Sequence, residues 1–127
     1  MATWKDTGQS NFKAAVDLYD GGHYRSAASR FYYAVFALIT GELLQRNASS
    51  DFAGGRGTPG HAQLTGLVEK HFTQFSLERM GNFTQLLRNL YAARIAADYS
   101  LQRVDRQSAR DSYTAARKIA DYLEGGT

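Results

Sequence analysis

The sequence predicts an all-α fold, an antiparallel up-and-down bundle of four to five helices. Apolar residues recur at helical spacing through almost the whole chain. The alternation of apolar and polar residues that is typical of half-buried strands is absent, and the chain contains a single proline. With 127 residues, 43% of them hydrophobic and 21% charged, the chain can bury a substantial core. We therefore expect one helical domain over residues 1–127.

The first helix is predicted at about residues 4–20. Its apolar stripe has the spacing i, i+3, i+4, i+7 and consists of Phe12, Ala15, Val16 and Tyr19. Thr3 or Thr7 can cap its start, and two consecutive glycines follow its end. These features indicate an amphipathic helix that packs one face on a core.

The second helix is predicted at about residues 23–46 and differs in character. Apolar side chains cover most of its circumference, which is typical of a central helix. One polar sector remains, formed by Ser26, Ser29, Arg30, Tyr33 and Thr40. The small residues Ala34, Ala37 and Gly41 border this sector, so another helix can approach closely there.

Residues 47–60 are rich in glycine and predict a flexible loop. The segment lacks the GxxxxGK[ST] spacing of a phosphate-binding loop, and no strand precedes it. Thr58 and Pro59 then predict the start of the third helix, as N-cap and first helical residue. The apolar face of that helix is expected to continue from Leu64 to Phe75.

The fourth helix is predicted to begin near residues 77–80 and to end at Ser100. Its apolar face consists of Phe83, Leu86, Leu87, Leu90, Tyr91, Ala97 and Leu101. Arg94 and Asp98 fall on this same face, one turn apart, and burial of a charge is costly unless it is paired. Two interpretations stay open: a structural ion pair that fixes the helix register, or a polar site in which Arg94 faces an anion.

The fifth helix is predicted from the N-cap Asp105 to about residue 123. Four basic residues cluster on one side of this region: Arg103, Arg106, Arg110 and Arg117. They form either a solvated helix face or a surface that contacts RNA. The net charge of +3 permits a polyanionic partner.

Several kinds of chemistry are excluded or disfavoured by the residues. The absence of cysteine removes disulfides and thiolate metal ligands. No glutamate is followed by a histidine three positions later, and the three histidines lack the spacing of a helical zinc pair, so we expect no metal and no cofactor. There is no signal peptide and no apolar run long enough to cross a bilayer, which predicts a cytoplasmic protein that does not engage a membrane.

Two segments together carry a family resemblance. Residues 24–36, YRSAASRFYYAVF, match the pattern y-x-x-A-x-x-R-x-Y-Y-A-x-F, and residues 94–99, RIAADY, match R-x-x-A-D-Y. Between them, Gly60-His61-x-x-Leu64 and the region from Phe72 to Phe75 are similar to an H-x-x-L…F segment. The chain resembles HEPN-domain proteins, in particular a small stand-alone group that carries the R-x-x-A-D-Y motif.

The resemblance implies a helical bundle that commonly forms homodimers. Members often occur beside minimal nucleotidyltransferases as toxin–antitoxin pairs, or within RNA-targeting defence systems. HEPN ribonucleases carry an R-x4-6-H motif and cleave RNA through the ribose 2′-hydroxyl. Arg94 matches the arginine of that motif, whereas Tyr99 stands where the histidine is expected.

Three functional hypotheses follow. The first is a dimeric HEPN module with a degenerate nuclease motif, which acts by binding RNA, a nucleotide or a protein partner. The second is a metal-independent endoribonuclease toxin in which Arg94, Asp98 and Tyr99 form the site. In both, the residues that would hold RNA are Arg30, Arg94, Arg103, Arg106, Arg110 and Arg117. The third is a structural bundle without a ligand.

Overall fold

The computed structural model describes residues 3–52 and 57–125. These residues form five α-helices and no β-strand, so the predicted all-α helical bundle is confirmed. The helices are α1 (Trp4–Asp20), α2 (Tyr24–Gln45), α3 (Leu64–His71), α4 (Leu77–Tyr99) and α5 (Arg106–Leu123), with short 3₁₀ turns at Ser49–Asp51 and His61–Gln63.

The bounds of α1 and α5 agree with those predicted, because both helices begin at strong local caps. The Thr3 hydroxyl accepts a hydrogen bond of 3.1 Å from the Asp6 backbone N–H, and the Asp6 carboxylate accepts one of 3.1 Å from the Thr3 backbone N–H. This reciprocal pair is a capping box and selects Thr3 rather than Thr7 as the N-cap. At α5, the Asp105 carboxylate accepts from the Ser108 N–H at 2.9 Å.

Helix α2 is the central helix, as predicted. It contacts α1, α3, α4 and α5, and its buried residues include Phe31, Tyr32 and Val35. The small residues on its border do permit a close approach by α1. A Cβ placed on Gly41 would lie 3.2 Å from Trp4 Cβ of α1, and one placed on Gly8 of α1 would lie 3.1 Å from the Ala34 carbonyl oxygen.

The predicted start of the third helix at Thr58-Pro59 is wrong. A 3₁₀ turn begins at His61, and α3 itself begins at Leu64. The reason is a local hydrogen bond, since the Gln63 side-chain oxygen accepts from the Gly60 N–H at 2.7 Å and forms the turn at that point. Phe72 lies beyond the end of α3 but is fully buried.

The predicted apolar face of α4 is wrong at its C-terminal end. The helix stops at Tyr99, so Leu101 lies outside it and is fully exposed. The guanidinium of Arg25 on α2 donates to the carbonyl oxygens of Ala97 and Ser100, the latter at 3.0 Å. These bonds satisfy the carbonyls that a helix terminus leaves free, so α4 is anchored to α2 where it ends.

The described part of segment 47–60 is partly anchored to the bundle. Phe52 is buried, and Asp51 Oδ2 lies 2.7 Å from His71 Nε2 and 3.0 Å from Lys70 Nζ. Residues 53–56 lie outside the described residues, so the flexibility expected of this loop stays a prediction.

Candidate functional site

The guanidinium of Arg94 joins the C-terminal part of α4 to α2. Its side chain is only 12% exposed. The Nη2 atom donates a 2.6 Å hydrogen bond to the Tyr33 hydroxyl on α2, and the Nε atom lies 3.0 Å from Asp98 Oδ2. The ion pair anticipated in the sequence is therefore present, and the polar sector of α2 supplies a second partner.

The ion pair leaves one donor of Arg94 without a hydrogen bond. Nε is buried, and among the described residues no acceptor is aligned with its N–H, although Asp98 is close enough for an ionic contact. An unsatisfied buried donor typically costs about 1–3 kcal/mol. Such an orphan polar group is common where a ligand or a water completes the site.

Two tyrosine rings flank the same guanidinium. Its Cζ atom lies 5.3 Å from the centre of the Tyr33 ring and 5.4 Å from that of Tyr99. Burial alone would lower the pKa of Arg94, but the hydrogen bond and the electrostatic interaction with Tyr33, followed by the interactions with Tyr99 and Asp98, outweigh it and raise this pKa. Arg94 is therefore a permanent cation, bordered by the Tyr99 ring, which is 72% exposed.

Asp98 contacts α2 as well as Arg94. Its Oδ2 atom accepts a 3.3 Å hydrogen bond from the Ser29 hydroxyl, and its side chain is 29% exposed. Arg30, the next residue along α2, donates instead to Asn11 Oδ1 on α1 at 3.1 Å. The structure thus brings Arg94, Asp98 and Tyr99 together and places Arg30 on the neighbouring side of α2.

The remaining four basic candidates do not join this cluster. Arg103 lies in the loop before α5, because the helix begins only at Arg106. Arg106 donates to the Tyr19 hydroxyl at 3.4 Å, and it and Arg110 lower the pKa of that tyrosine through hydrogen bonding. Arg117 lies 3.9 Å from Asp121 on its own helix. Their use as an RNA surface stays a prediction.

A histidine that the sequence did not place in the site lies near Arg94. The Nδ1 atom of His61 is 2.7 Å from the hydroxyl of the buried Tyr32. The imidazole packs 4.5 Å from the Phe36 ring and 6.3 Å from that of Tyr91, measured between centroids. It is also 6.1 Å from the Tyr33 ring, whose hydroxyl holds Arg94. The signal was the H-x-x-L segment, but only the fold brings it to α4.

The surroundings of His61 favour the neutral form of its imidazole. Burial against the aromatic rings lowers its pKa, and the positive charge of Arg94 lowers it further. Burial raises the pKa of Tyr32 above the usual tyrosine value, so this hydroxyl stays protonated. A hydroxyl can donate to Nδ1 or accept from it, so Tyr32 orients the ring in either tautomer and Nε2 remains available for a ligand.

Comparison with known proteins agrees with the motifs. A family model described as HEPN domain matches residues 1–125. No curated protein and no solved structure matches the chain. In residues 3–52 and 57–125, no three histidines, aspartates or glutamates are grouped so that they could hold a metal ion. Over that same part of the chain, none of the helices has both the length and the apolar character that a bilayer span requires.

Proposed function

The chain belongs to the HEPN domain family, whose members occur in toxin–antitoxin and defence systems; from this premise we propose that it binds single-stranded RNA at Arg94. The main support for this proposal is the charge of the Arg94 guanidinium together with the groups that surround it. This guanidinium is a permanent cation that is ion-paired with Asp98 through Nε, and it lies beside the exposed ring of Tyr99. A phosphate oxygen can replace the Asp98 carboxylate as the anionic partner of this guanidinium.

The aromatic surroundings favour single-stranded RNA over a simple anion. Tyr99 and Tyr91 are exposed to 72% and 37%, and both lie on α4 within about two turns of each other. Unpaired bases stack on exposed aromatic rings, while cations hold the phosphates of the same strand. The combination of one cation and adjacent rings is therefore suited to a nucleotide chain.

Binding can be measured by the fluorescence anisotropy of a labelled single-stranded RNA. Arg94→Met removes the guanidinium and should weaken binding about 10- to 100-fold, the range for a charged hydrogen bond. Arg88→Met is the matched control, because Arg88 is exposed on another face of α4 and the same charge is lost. Equal binding by both variants and by the wild type would overturn the proposal.

HEPN domains often form dimers, and we expect the C-terminal end of α4 to supply the homodimer contact. Leu101 lies fully exposed next to Tyr99 at this end. Leu101→Ser should raise the dimer dissociation constant in sedimentation experiments, whereas Leu77→Ser, at the opposite end of α4 and 94% exposed, should not.

A minimal nucleotidyltransferase is the protein partner we propose. Co-expression with such a partner should relieve any growth arrest that the chain causes.

A second candidate function, a metal-independent endoribonuclease, is favoured by the position of His61. In this reaction the ribose 2′-oxygen attacks the adjacent phosphorus, and the bond to the 5′-oxygen breaks. A neutral imidazole at His61 can take the 2′-hydroxyl proton, Arg94 can stabilise the charge that develops on the phosphate, and the departing 5′-oxygen takes a proton from water. The products would be a 2′,3′-cyclic phosphate and a free 5′-hydroxyl.

Cleavage is tested with purified protein in the presence of a chelator, with mass spectrometry of the RNA ends. His61→Ala and Arg94→Ala should each abolish the cyclic phosphate product. His23→Ala is the matched control, since the side chain of His23 is exposed and makes no capping hydrogen bond to α2. Cleavage that persists in both site variants, or that never occurs, would remove this candidate and leave binding as the function.

A further inference from the structure

An open cavity lies on the α1 side of Arg94. Its volume is about 450 Å³, and it lies between the first half of α1 and the middle of α2. The residues that matter for its chemistry are Trp4, Asn11, Ser29, Arg30, Tyr33 and Phe36. The volume lies within the range of small-ligand sites in proteins, about 300–1,000 Å³.

Two of these residues also belong to the Arg94 site, so the cavity adjoins it directly. Ser29 donates to Asp98, and Tyr33 accepts from Arg94. Both side chains come from α2 and lie between the cavity and α4. The cavity and the Arg94 site therefore share these two side chains as a common wall.

The groups that line the cavity are those that recognise a nucleobase. Trp4 and Phe36 provide aromatic surface, and Arg30 provides a planar cation that can stack or donate. Asn11 fixes one end of this cation by accepting from its Nη1 at 3.1 Å. Among the described residues Arg30 has no other hydrogen-bond partner, so its remaining N–H groups can donate to base edges.

We propose that this cavity is a base-binding subsite for single-stranded RNA, occupied by the base of a nucleotide whose phosphate lies at Arg94. The inference rests on the proposed RNA binding and adds a defined position for one base. It also assigns a role to Arg30 that does not depend on the arginines of α5. The acceptors on the edges of a base match the N–H donors that Arg30 does not use for Asn11.

The chain offers a direct probe of this cavity, because Trp4 is its only tryptophan. A base that stacks near the indole should quench its fluorescence. We expect a short single-stranded RNA to quench Trp4 with the same midpoint that anisotropy gives for binding. Arg30→Met should weaken RNA binding about tenfold, within the range measured for one stacked base, and should abolish most of the quenching. Arg88→Met should change neither.

Adenosine and uridine monophosphates serve as the second arm of the experiment. If they quench Trp4 as tightly as the RNA does, the subsite binds free nucleotides and the assignment to RNA is overturned. If RNA binds through Arg94 while Trp4 fluorescence stays constant and Arg30→Met behaves like Arg88→Met, the subsite is wrong and the proposed function stands. If no RNA binds at all, the proposed function fails and the subsite fails with it.

Discussion

The Tyr33 hydroxyl on α2 accepts a 2.6 Å hydrogen bond from Arg94 Nη2 on α4. This bond connects two sequence motifs that lie 61 residues apart. Tyr33 is the second tyrosine of the Y-Y-A-x-F segment, and Arg94 begins the R-x-x-A-D-Y segment. The two motifs therefore form one site, in which the tyrosine orients the arginine and the arginine carries the charge.

Removal of this hydroxyl should destabilise the fold. Tyr33→Phe leaves Arg94 Nη2 without its acceptor, and we expect the free energy of unfolding to fall by about 1–2 kcal/mol. Urea denaturation followed by circular dichroism gives the value. Tyr122→Phe is the control, because within the described residues the Tyr122 hydroxyl has no hydrogen-bond partner. Equal losses in the two variants would contradict a specific role for the Tyr33–Arg94 bond.

The low pKa of His61 predicts how stability depends on pH. Because the folded protein holds this pKa below the unfolded value of about 6.5, the unfolded state binds a proton more readily. His61 therefore contributes fully to stability when the pH is above the pKa of the unfolded state. This contribution is lost as the pH falls from the unfolded pKa toward the lower pKa of the folded state. Thermal melting between about pH 5 and 8 should show a smaller decline at acid pH for His61→Gln than for the wild type.

The exposed His23 provides the comparison for this measurement. His23→Gln removes a histidine outside the aromatic contacts of His61, so it serves as the control for the loss of an imidazole elsewhere in the protein. A wild-type curve that declines no faster than that of His61→Gln would show that the imidazole is not held neutral by its surroundings.

Local sequence signals were sufficient for most helix bounds. Helix α1 begins at the capping box of Thr3 and Asp6, and helix α5 begins at the N-cap Asp105. Both caps depend on contacts within three residues, and the starts of both helices were predicted. The end of α4 agrees with the predicted Ser100 to within one residue, but the bonds that anchor it could not be predicted, because they join Arg25 to carbonyls more than 70 residues later in the chain. Leu101 accordingly lies in solvent instead of on the predicted apolar face.

The difference between local and long-range contacts also explains which parts of the site were predicted and which were not. Arg94 and Asp98 are one turn apart on α4, so their pairing can be derived from helical spacing alone. His61 lies 33 residues before Arg94, on a 3₁₀ turn whose start was itself predicted incorrectly. Its approach to Phe36 and Tyr32 depends on how that turn packs on α2, which no local pattern encodes.

Two glycine substitutions should have opposite effects on stability. Gly81 lies in α4, where a Cβ would meet no side chain or neighbouring helix of the described residues within 4 Å, so Gly81→Ala should stabilise the protein by about 0.4–1 kcal/mol. Gly8→Ala gains the same helix propensity, but its Cβ would lie 2.6 Å from Leu38 Cγ and 3.1 Å from the Ala34 carbonyl oxygen. We expect a net loss of about 1–3 kcal/mol from this overpacking. Chemical denaturation of both variants gives the signs, and stabilisation by Gly8→Ala would contradict the close contact of α1 and α2.

The charge of Asp98 should oppose RNA binding while it supports the fold. Asp98→Asn keeps the shape of the side chain but removes the negative charge beside Arg94. The free energy of unfolding should fall by about 0.5–1 kcal/mol, as expected for a partly exposed ion pair. RNA should bind about two- to fivefold more tightly, because its phosphate no longer competes with a carboxylate for the guanidinium.

The pair Arg117–Asp121 on α5 has the same i, i+4 spacing and is more exposed, with side chains 64% and 57% accessible. Asp121→Asn changes the net charge equally, so it separates a local effect at Arg94 from a general gain in positive charge. If Asp98→Asn lowers stability but leaves RNA affinity equal to that of the wild type, the ion pair is structural and Arg94 does not bind the phosphate. Tighter binding by Asp98→Asn alone would identify Arg94 as the cation that the phosphate contacts.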